Sequence, residues 1–197
     1  PLAALFLGEL LLEACVPPGV VNVLPGFGPT AGAAIAAHRG IDKVTFTGST
    51  EVGREVVKAS SGNMKRVSME LGGKSPNIVF ADADLEAAAK GLFMGIFYNQ
   101  GQCCSAGSRV FIERSKYPDM LAALAERAKT VRQGNGMDPK THMGPLVSSA
   151  QCERVMSFIE SGKKQGASLL AGGDAPAGPG YFVKPTVFGD VKDDMRI

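Results

Sequence analysis

Lys43-Val44-Thr45-Phe46-Thr47-Gly48-Ser49-Thr50-Glu51-Val52-Gly53 is the stretch on which the fold of this chain turns. Residues 43–47 are β-branched or aromatic at four of five positions and read as a strand. Gly48-Ser49 turns the chain, and Thr50 to Ser60 reads as a helix. Val67-Ser68-Met69-Glu70-Leu71 then reads as a further strand. On the other side, Val20-Val21-Asn22-Val23-Leu24 reads as a short buried strand and Pro25-Gly26-Phe27-Gly28 as a turn. Residues 29–38 read as a helix with Pro29 in its first turn. Strand, helix, strand, helix, strand implies parallel strands joined by right-handed crossovers. Before them, Leu2, Leu5, Leu10 and Leu12 are spaced as in a mostly buried helix.

Beyond Gly72-Gly73 the pattern changes. Asn77 to Phe80 reads as a strand and Leu85 to Phe97 as a long helix, with Asp82 and Asp84 near its start. Ser108 to Glu113 reads as a strand, Pro118 to Arg132 as an amphipathic helix, and residues 134–148 as a Gly/Pro-rich loop. Ser149 to Gln165 reads as a helix ended by Gly166. After a loop over 174–180, Tyr181 to Phe188 reads as a strand that Pro185 confines to an edge or a bend. A domain boundary is placed near Gly72-Gly73: half of a dinucleotide-binding sheet over residues 1–71, then a second α/β domain over residues 72–197. The chain opens at Pro1 and closes at Met195-Arg196-Ile197, inside an acidic loop, so both ends read as cut.

Composition narrows the function classes. Of 197 residues, 45% are hydrophobic and 20% charged, which is the balance of a globular α/β protein. A net charge of +2, with basic residues scattered and no interleaved aromatics, gives no nucleic-acid surface. The apolar opening stretch is broken by Glu9 and Glu13 and falls short of the roughly 20 residues of a membrane span. It lacks the basic flank of a signal peptide. The four cysteines, Cys15, Cys103, Cys104 and Cys152, fit neither a metal-ligand spacing nor a disulfide framework. They suit a reducing compartment, and no metal is expected.

Three motifs carry chemistry. Gly48-Ser49-Thr50-Glu51-Val52-Gly53 follows a strand and opens a helix, whose free N–H groups and positive dipole end suit a phosphate. The same turn also serves merely to cap a helix. Gly26-Phe27-Gly28-Pro29-Thr30-Ala31-Gly32 is a near miss of the dinucleotide fingerprint. Pro29 removes a donor there, so that turn suits an adenine or ribose better than a pyrophosphate. The Cys103-Cys104 pair lies between a helix and a strand, where a thiol is either exposed and reactive or buried as a small hydrophobe. Cys15 and Cys152, on amphipathic helices, take the second reading. Glu70 ends an apolar strand. It is either one half of a surface ion pair or a desolvated carboxylate fit for general base catalysis. His38 and His142 read as surface residues. No histidine lies near the cysteines in sequence, so Glu70 is the more natural base.

These segments together resemble the aldehyde dehydrogenase superfamily. The matching runs are Pro17–Asn22, Gly26–Gly32, Phe46–Gly53, Met69–Pro76, Asn99–Cys104, Ile159–Lys163 and Gly180–Val187. They cover essentially the whole chain and look closest to the group acting on retinal and small aliphatic aldehydes. The resemblance implies part of a Rossmann-like parallel-sheet cofactor domain, its C-terminal half, over residues 1–71. Residues 72–197 are then part of an α/β catalytic (thiol) domain, truncated at its C-terminal end. Cys104 matches the family's nucleophile and Glu70 its general base. Gly28 and Pro29 match adenosine-pocket residues. Gly48 and Ser49, with Gly53 in the same motif, match the turn under the pyrophosphate. Leu71 and Gly72 lie where the nicotinamide end sits, and Gln151 matches a ribose-contacting position. Arg154 departs from the lysine usual three residues after that glutamine, and Gly134-Asn135-Gly136-Met137 lacks the usual proline. The family's oxyanion asparagine and adenosine-ribose contacts fall upstream of Pro1; its nicotinamide-ribose contacts fall downstream of Ile197.

The resemblance implies oxidation of a small-molecule aldehyde to a carboxylic acid through a thiohemiacetal and a thioester on Cys104. NAD is the expected cofactor, with NADP left open because the deciding ribose contacts lie outside the chain. It also implies a homo-oligomeric parent, dimer or tetramer, in the cytoplasm or mitochondrial matrix, with no nucleic acid or membrane as partner. Two rival readings stay open: a non-catalytic structural protein on the same fold, and a thiol esterase or acyl-transfer enzyme that uses no NAD.

Overall fold

The computed structural model describes residues 1–197. Its elements run α1 (Leu2–Glu13), α2 (Ala33–Ala37), β1 (Lys43–Gly48), α3 (Thr50–Ser60), β2 (Arg66–Leu71), β3 (Pro76–Val79), α4 (Leu85–Phe97), β4 (Arg109–Ile112), α5 (Tyr117–Lys129), α6 (Ser149–Gln165), β5 (Ser168–Ala171) and β6 (Val187–Gly189). The chain divides into two units, Pro1–Gly72 and Gly73–Ile197. Each contains a parallel strand pair with the intervening chain forming a helix.

In the first unit β1 and β2 pair in parallel, from Lys43 opposite Arg66 to Gly48 opposite Leu71. α3 crosses between them. Ser49 opens it by accepting a hydrogen bond from the Val52 N–H at 3.3 Å. Gly53, Val56 and Ser60 recur on one face and are buried. Gly53 permits the close approach: a Cβ there would lie 2.9 Å from Leu71 Cδ2. The expected helix over 29–38 is present in two parts. A wide π-type turn over Gly28–Gly32, with Pro29 in its first turn, runs straight into α2.

Two expectations fail in this unit. Val20 to Leu24 forms no strand, and Val20 and Leu24 are each 67% exposed. A strand is defined by its ladder, and β1 pairs only with β2, so this segment makes no ladder bonds. The parallel sheet therefore has two strands here, not three. α1 forms but buries none of its residues, with Leu2 82% and Phe6 58% exposed. A helix apolar on all sides needs neighbours on all sides, and this unit supplies too few.

The second unit repeats the module. β3 and β4 pair in parallel, Pro76 opposite Arg109 through Val79 opposite Ile112, with α4 between. Asp84 Oδ1 caps α4 by accepting from the Ala87 N–H at 2.7 Å. Val79, Ala89, Leu92, Met120 and Leu124 form its core, which joins β3, α4 and α5. Met120 is wholly buried, a burial worth about 1.5–3 kcal/mol. Pro118 stands in the first turn of α5, Asp119 beside it, and Arg127 and Lys129 stand in its last, each sign matching the helix dipole. α6 opens on Ser148 and stops at Gly166, whose φ of 87° is a left-handed cap that glycine takes without a Cβ penalty.

The end of this unit departs from expectation. β5, unforeseen, pairs antiparallel with β6, and Val187 packs against both buried clusters. The strand expected over 181–188 shrinks to Val187–Gly189. Pro185 offers no N–H to a ladder, and the residues before it make single bonds instead: Leu146 N–H to the Tyr181 carbonyl at 2.8 Å, and Lys184 N–H to that of Asp174 at 3.0 Å. No helix is long and apolar enough to cross a membrane.

Candidate active site

The first unit gathers five of the expected residues at one end of its strand pair. Parallel pairing puts the carboxyl ends of β1 and β2 side by side, with Thr47 opposite Glu70 and Gly48 opposite Leu71. That is the end at which open α/β sheets bind ligands. Ser49 leaves β1 with extended backbone and caps α3. Its hydroxyl takes the Val52 N–H and its carbonyl the Gly53 N–H, at 3.3 and 2.9 Å. The N–H groups of Thr50 and Glu51, ahead of them, have no acceptor within the helix. Glu51 in the same turn is a carboxylate that opposes an anion there.

Gly48 lies close under a neighbouring side chain, which the sequence does not show. Its φ lies outside the left-handed region, so the turn itself does not demand glycine. A Cβ on Gly48 would instead meet the Phe46 ring at Cζ, because Phe46 folds over the turn from two residues back. Gly53 serves the packing of α3 on β2, described above. Leu71 turns its side chain against Gly53, and Gly72 has no atom within 4 Å of a notional Cβ. Gly28 and Pro29 start the π-type turn, also with open space at Gly28. Glu70 is exposed and joins no ion pair, so neither half of the reading from sequence holds within this unit: it is neither desolvated nor salt-bridged.

The second unit builds the thiol loop. α4 ends at Phe97, and Asn99, Gln100 and Gly101 follow with φ of 48°, 57° and 73°. Three successive left-handed residues are costly for Asn and Gln and persist only where surroundings hold them. Here the backbone does so. Gln102 N–H reaches the Asn99 carbonyl at 3.0 Å, Ala106 N–H the Cys103 carbonyl at 3.1 Å, and Gly107 N–H the Gly95 carbonyl at 3.0 Å. The Cys104 carbonyl accepts from the Gly73 N–H at 3.2 Å, tying the loop to the chain entering β3. Gln102 Oε1 accepts from the Val147 N–H at 3.1 Å, tying it to the chain entering α6. Asn77 Nδ2 donates to the Gly107 carbonyl at 3.1 Å.

The side chains of the pair then diverge in environment. Cys103 is half-buried and Cys104 exposed, and both are free thiols. Gln151 lies in the first turn of α6, half-buried, its N–H donating to Ser148 Oγ at 3.3 Å. Cys15 is exposed and Cys152 half-buried, so the buried-hydrophobe reading fails for Cys15. A cavity of about 410 Å³, lined by Phe93, Phe97, Asn99, Arg127 and His142 among others, opens beside the start of the thiol loop. Neither Cys104 nor Glu70 lines it. No cluster of His, Cys, Asp or Glu is placed to hold a metal. The Gln102 and Asn77 ties escaped the sequence reading because they join residues 45 and 30 positions apart. The Asn-Gln-Gly turn was visible as composition, but not its handedness.

A profile described as the aldehyde dehydrogenase family matches residues 1–197. Retinal dehydrogenase 2 of Mus musculus is 54% identical over 198 residues, covering all of this chain and 38% of that protein. The mitochondrial aldehyde dehydrogenase of Rattus norvegicus is likewise 54% identical, again covering the whole chain and 38% of the relative. Among solved structures, the NAD+ complex of an aldehyde dehydrogenase from Bacillus cereus superposes with a TM-score of 0.96 at 56% identity, over the whole chain and 40% of its own. The chain thus spans about two-fifths of the length of these relatives.

Proposed function

The chain belongs to the aldehyde dehydrogenase family, and from that premise we propose that it carries the nucleophile, the general base and part of the NAD site of an enzyme that oxidises aldehydes to carboxylic acids. Cys104 is the nucleophile. The supporting observation is its exposed thiol on a loop whose backbone is hydrogen-bonded to the chain entering β3 and to α4, and whose Gln102 side chain is bonded to the entry of α6. A fixed backbone under a free thiol is what positioning a reacting atom requires. Residues 1–71 act as the cofactor portion and residues 72–197 as the thiol portion.

The residues present fit a dinucleotide. Gly28 and Pro29 border open space suited to adenosine, the unpaired N–H groups at the start of α3 suit a pyrophosphate, and Leu71 and Gly72 suit the nicotinamide end. Gln151 is proposed as a ribose contact. When bound, the nicotinamide supplies the hydride acceptor. Cys104 Sγ, as thiolate, adds to the aldehyde carbon and forms the C–S bond of a thiohemiacetal. Loss of hydride from that carbon leaves a thioester. Glu70 takes a proton from water, the water oxygen adds to the thioester carbon, and the C–S bond breaks. The acid leaves and the thiolate returns. Two accessible steps replace one difficult one.

Retinal dehydrogenase and mitochondrial aldehyde dehydrogenase among the relatives support retinal or another aldehyde as the substrate and the mitochondrion as one candidate compartment. NAD is favoured over NADP by the Bacillus cereus complex. The decisive test uses the complete protein carrying this chain. Cys104→Ala abolishes aldehyde oxidation, while Cys103→Ala keeps much of it, as followed by absorbance of the reduced cofactor. The reverse pattern moves the nucleophile to Cys103. Turnover of an ester with no affinity for NAD favours the acyl-transfer reading, and no turnover of either favours a structural role.

A further inference from the structure

Lys65 is one of only two polar residues fully buried in the chain, at 7% exposure. A buried ammonium is normally paired with a carboxylate, yet none of the ion pairs includes it. Its Nζ donates instead to two backbone carbonyls, those of Ala36 and His38, each at 2.7 Å. Those carbonyls lie at the end of α2, where the last carbonyls find no donor within the helix and a cation complements the dipole. Two residues earlier, Asn63 Nδ2 donates to the carbonyls of Arg39 and Ile41 at 2.8 and 3.1 Å. The Arg66 N–H then takes the Asp42 carbonyl at 3.0 Å, where the β1–β2 ladder begins. Five carbonyls from α2 to the start of β1 are thereby fastened to three residues, Asn63, Lys65 and Arg66, where the chain enters β2. Met64, between the two side chains, is 87% exposed with φ of 55°, a conformation that a bulky residue holds only when its neighbours fix it.

The fastened connection has the cofactor portion on its other end. α2 is continuous with the π-type turn that starts at Gly28-Pro29, and α2 packs on α3. Whatever fixes the C-terminus of α2 against β1 and β2 also fixes that turn.

We propose that Lys65, assisted by Asn63, is a positioning residue for adenosine binding: its two carbonyl bonds hold α2 and the Gly28–Gly32 turn in place against the β1–β2 pair. It touches neither cofactor nor substrate. The proposal rests on the reading above in which Gly28 and Pro29 border the adenosine.

The test compares the complete protein with its Lys65→Met variant, which keeps the apolar stem and removes the donors. Adenosine 5′-monophosphate and NAD are titrated into both. kcat at saturating NAD and NAD-independent hydrolysis of a p-nitrophenyl ester are measured alongside. The variant should bind both nucleotides about tenfold more weakly, the scale of one lost charged hydrogen bond, with kcat and ester hydrolysis within about twofold of wild type. In a folded variant, an equal fall in all four quantities overturns the positioning role, as does unchanged nucleotide affinity. Should Lys65→Met not fold, Asn63→Ala removes the other pair of bonds from a half-buried site and carries the same expectation and the same refutation. A wild-type protein that binds neither nucleotide sinks the cofactor reading itself, and this proposal with it. Wild-type binding with an unaffected variant sinks only this proposal.

Discussion

Glu70 and Gly48 look alike in the motifs as residues given over to function, but the structure gives each a different physical setting. Glu70 closes β2 with an exposed carboxylate, so its proposed part is to accept a proton from a water delivered to it. Glu70→Gln in the complete protein keeps the size of the side chain and removes the base. The expected outcome is a burst of reduced cofactor of about one equivalent, then a steady rate lower by roughly 10²–10⁴-fold, the range general base catalysis contributes. Loss of NAD binding with deacylation unchanged would assign Glu70 to the cofactor instead. Gly48 sits under the Phe46 ring. Gly48→Val has to push that ring into the space beside the turn. Nucleotide affinity should fall about tenfold or more, the scale of ~1–3 kcal/mol for inserting a side chain into filled space. Calorimetry with NAD checks it, and unchanged affinity places the pyrophosphate elsewhere.

At the scale of elements, the caps decide where helices begin. Ser49, Asp84 and Ser148 each accept an N–H from three residues on. Asp84 has the shortest of the three bonds, and its charge also faces the positive end of α4. Asp84→Ala should destabilise the complete protein by about 1 kcal/mol, read as a lower denaturant midpoint at constant slope. It should leave ester hydrolysis in place, because the thiol loop follows the other end of α4. An undiminished midpoint would mean that core packing through Ala89 and Leu92 alone fixes the start of this helix.

The whole molecule presents apolar surface that a stable globule covers. α1 buries nothing, and Phe27, Ile78, Phe80 and Met94 are each at least half exposed. The two parallel pairs stand as separate two-stranded sheets, although parallel sheets normally have both faces covered. The relatives are about two and a half times as long as this chain. The 197-residue polypeptide expressed alone is expected to self-associate, and to turn over aldehyde at least about 10²-fold more slowly than the complete protein, since misplacing reactants by about 1 Å costs that much. Size-exclusion chromatography and the reduced-cofactor assay on the isolated chain check both. Steady turnover by a monomer would mean that these residues suffice for the chemistry.

Strand and helix periods, with the turn residues between them, were enough to place β1, α3, β2, β3, α4, β4, α5 and α6 to within about three residues, because each is set by local propensity and caps. The motifs likewise pointed to Cys104 and Glu70 through resemblance. What failed was whatever depends on partners distant in sequence. Val20 to Leu24 has the composition of a strand but no ladder to join. α1 has the composition of a buried helix but no layer above it. β5 exists because β6 returns beside it, with Ser168 opposite Gly189. The same holds at the site: that Cys104 is exposed while Cys103 is half-buried, that Gly48 answers to Phe46, and that Lys65 fastens α2 are outcomes of packing. The chain alone determined the local elements and the motif residues proposed for the chemistry; tertiary contact decided their exposure and strand pairing, because burial and ladder bonds belong to pairs of residues that only folding brings together.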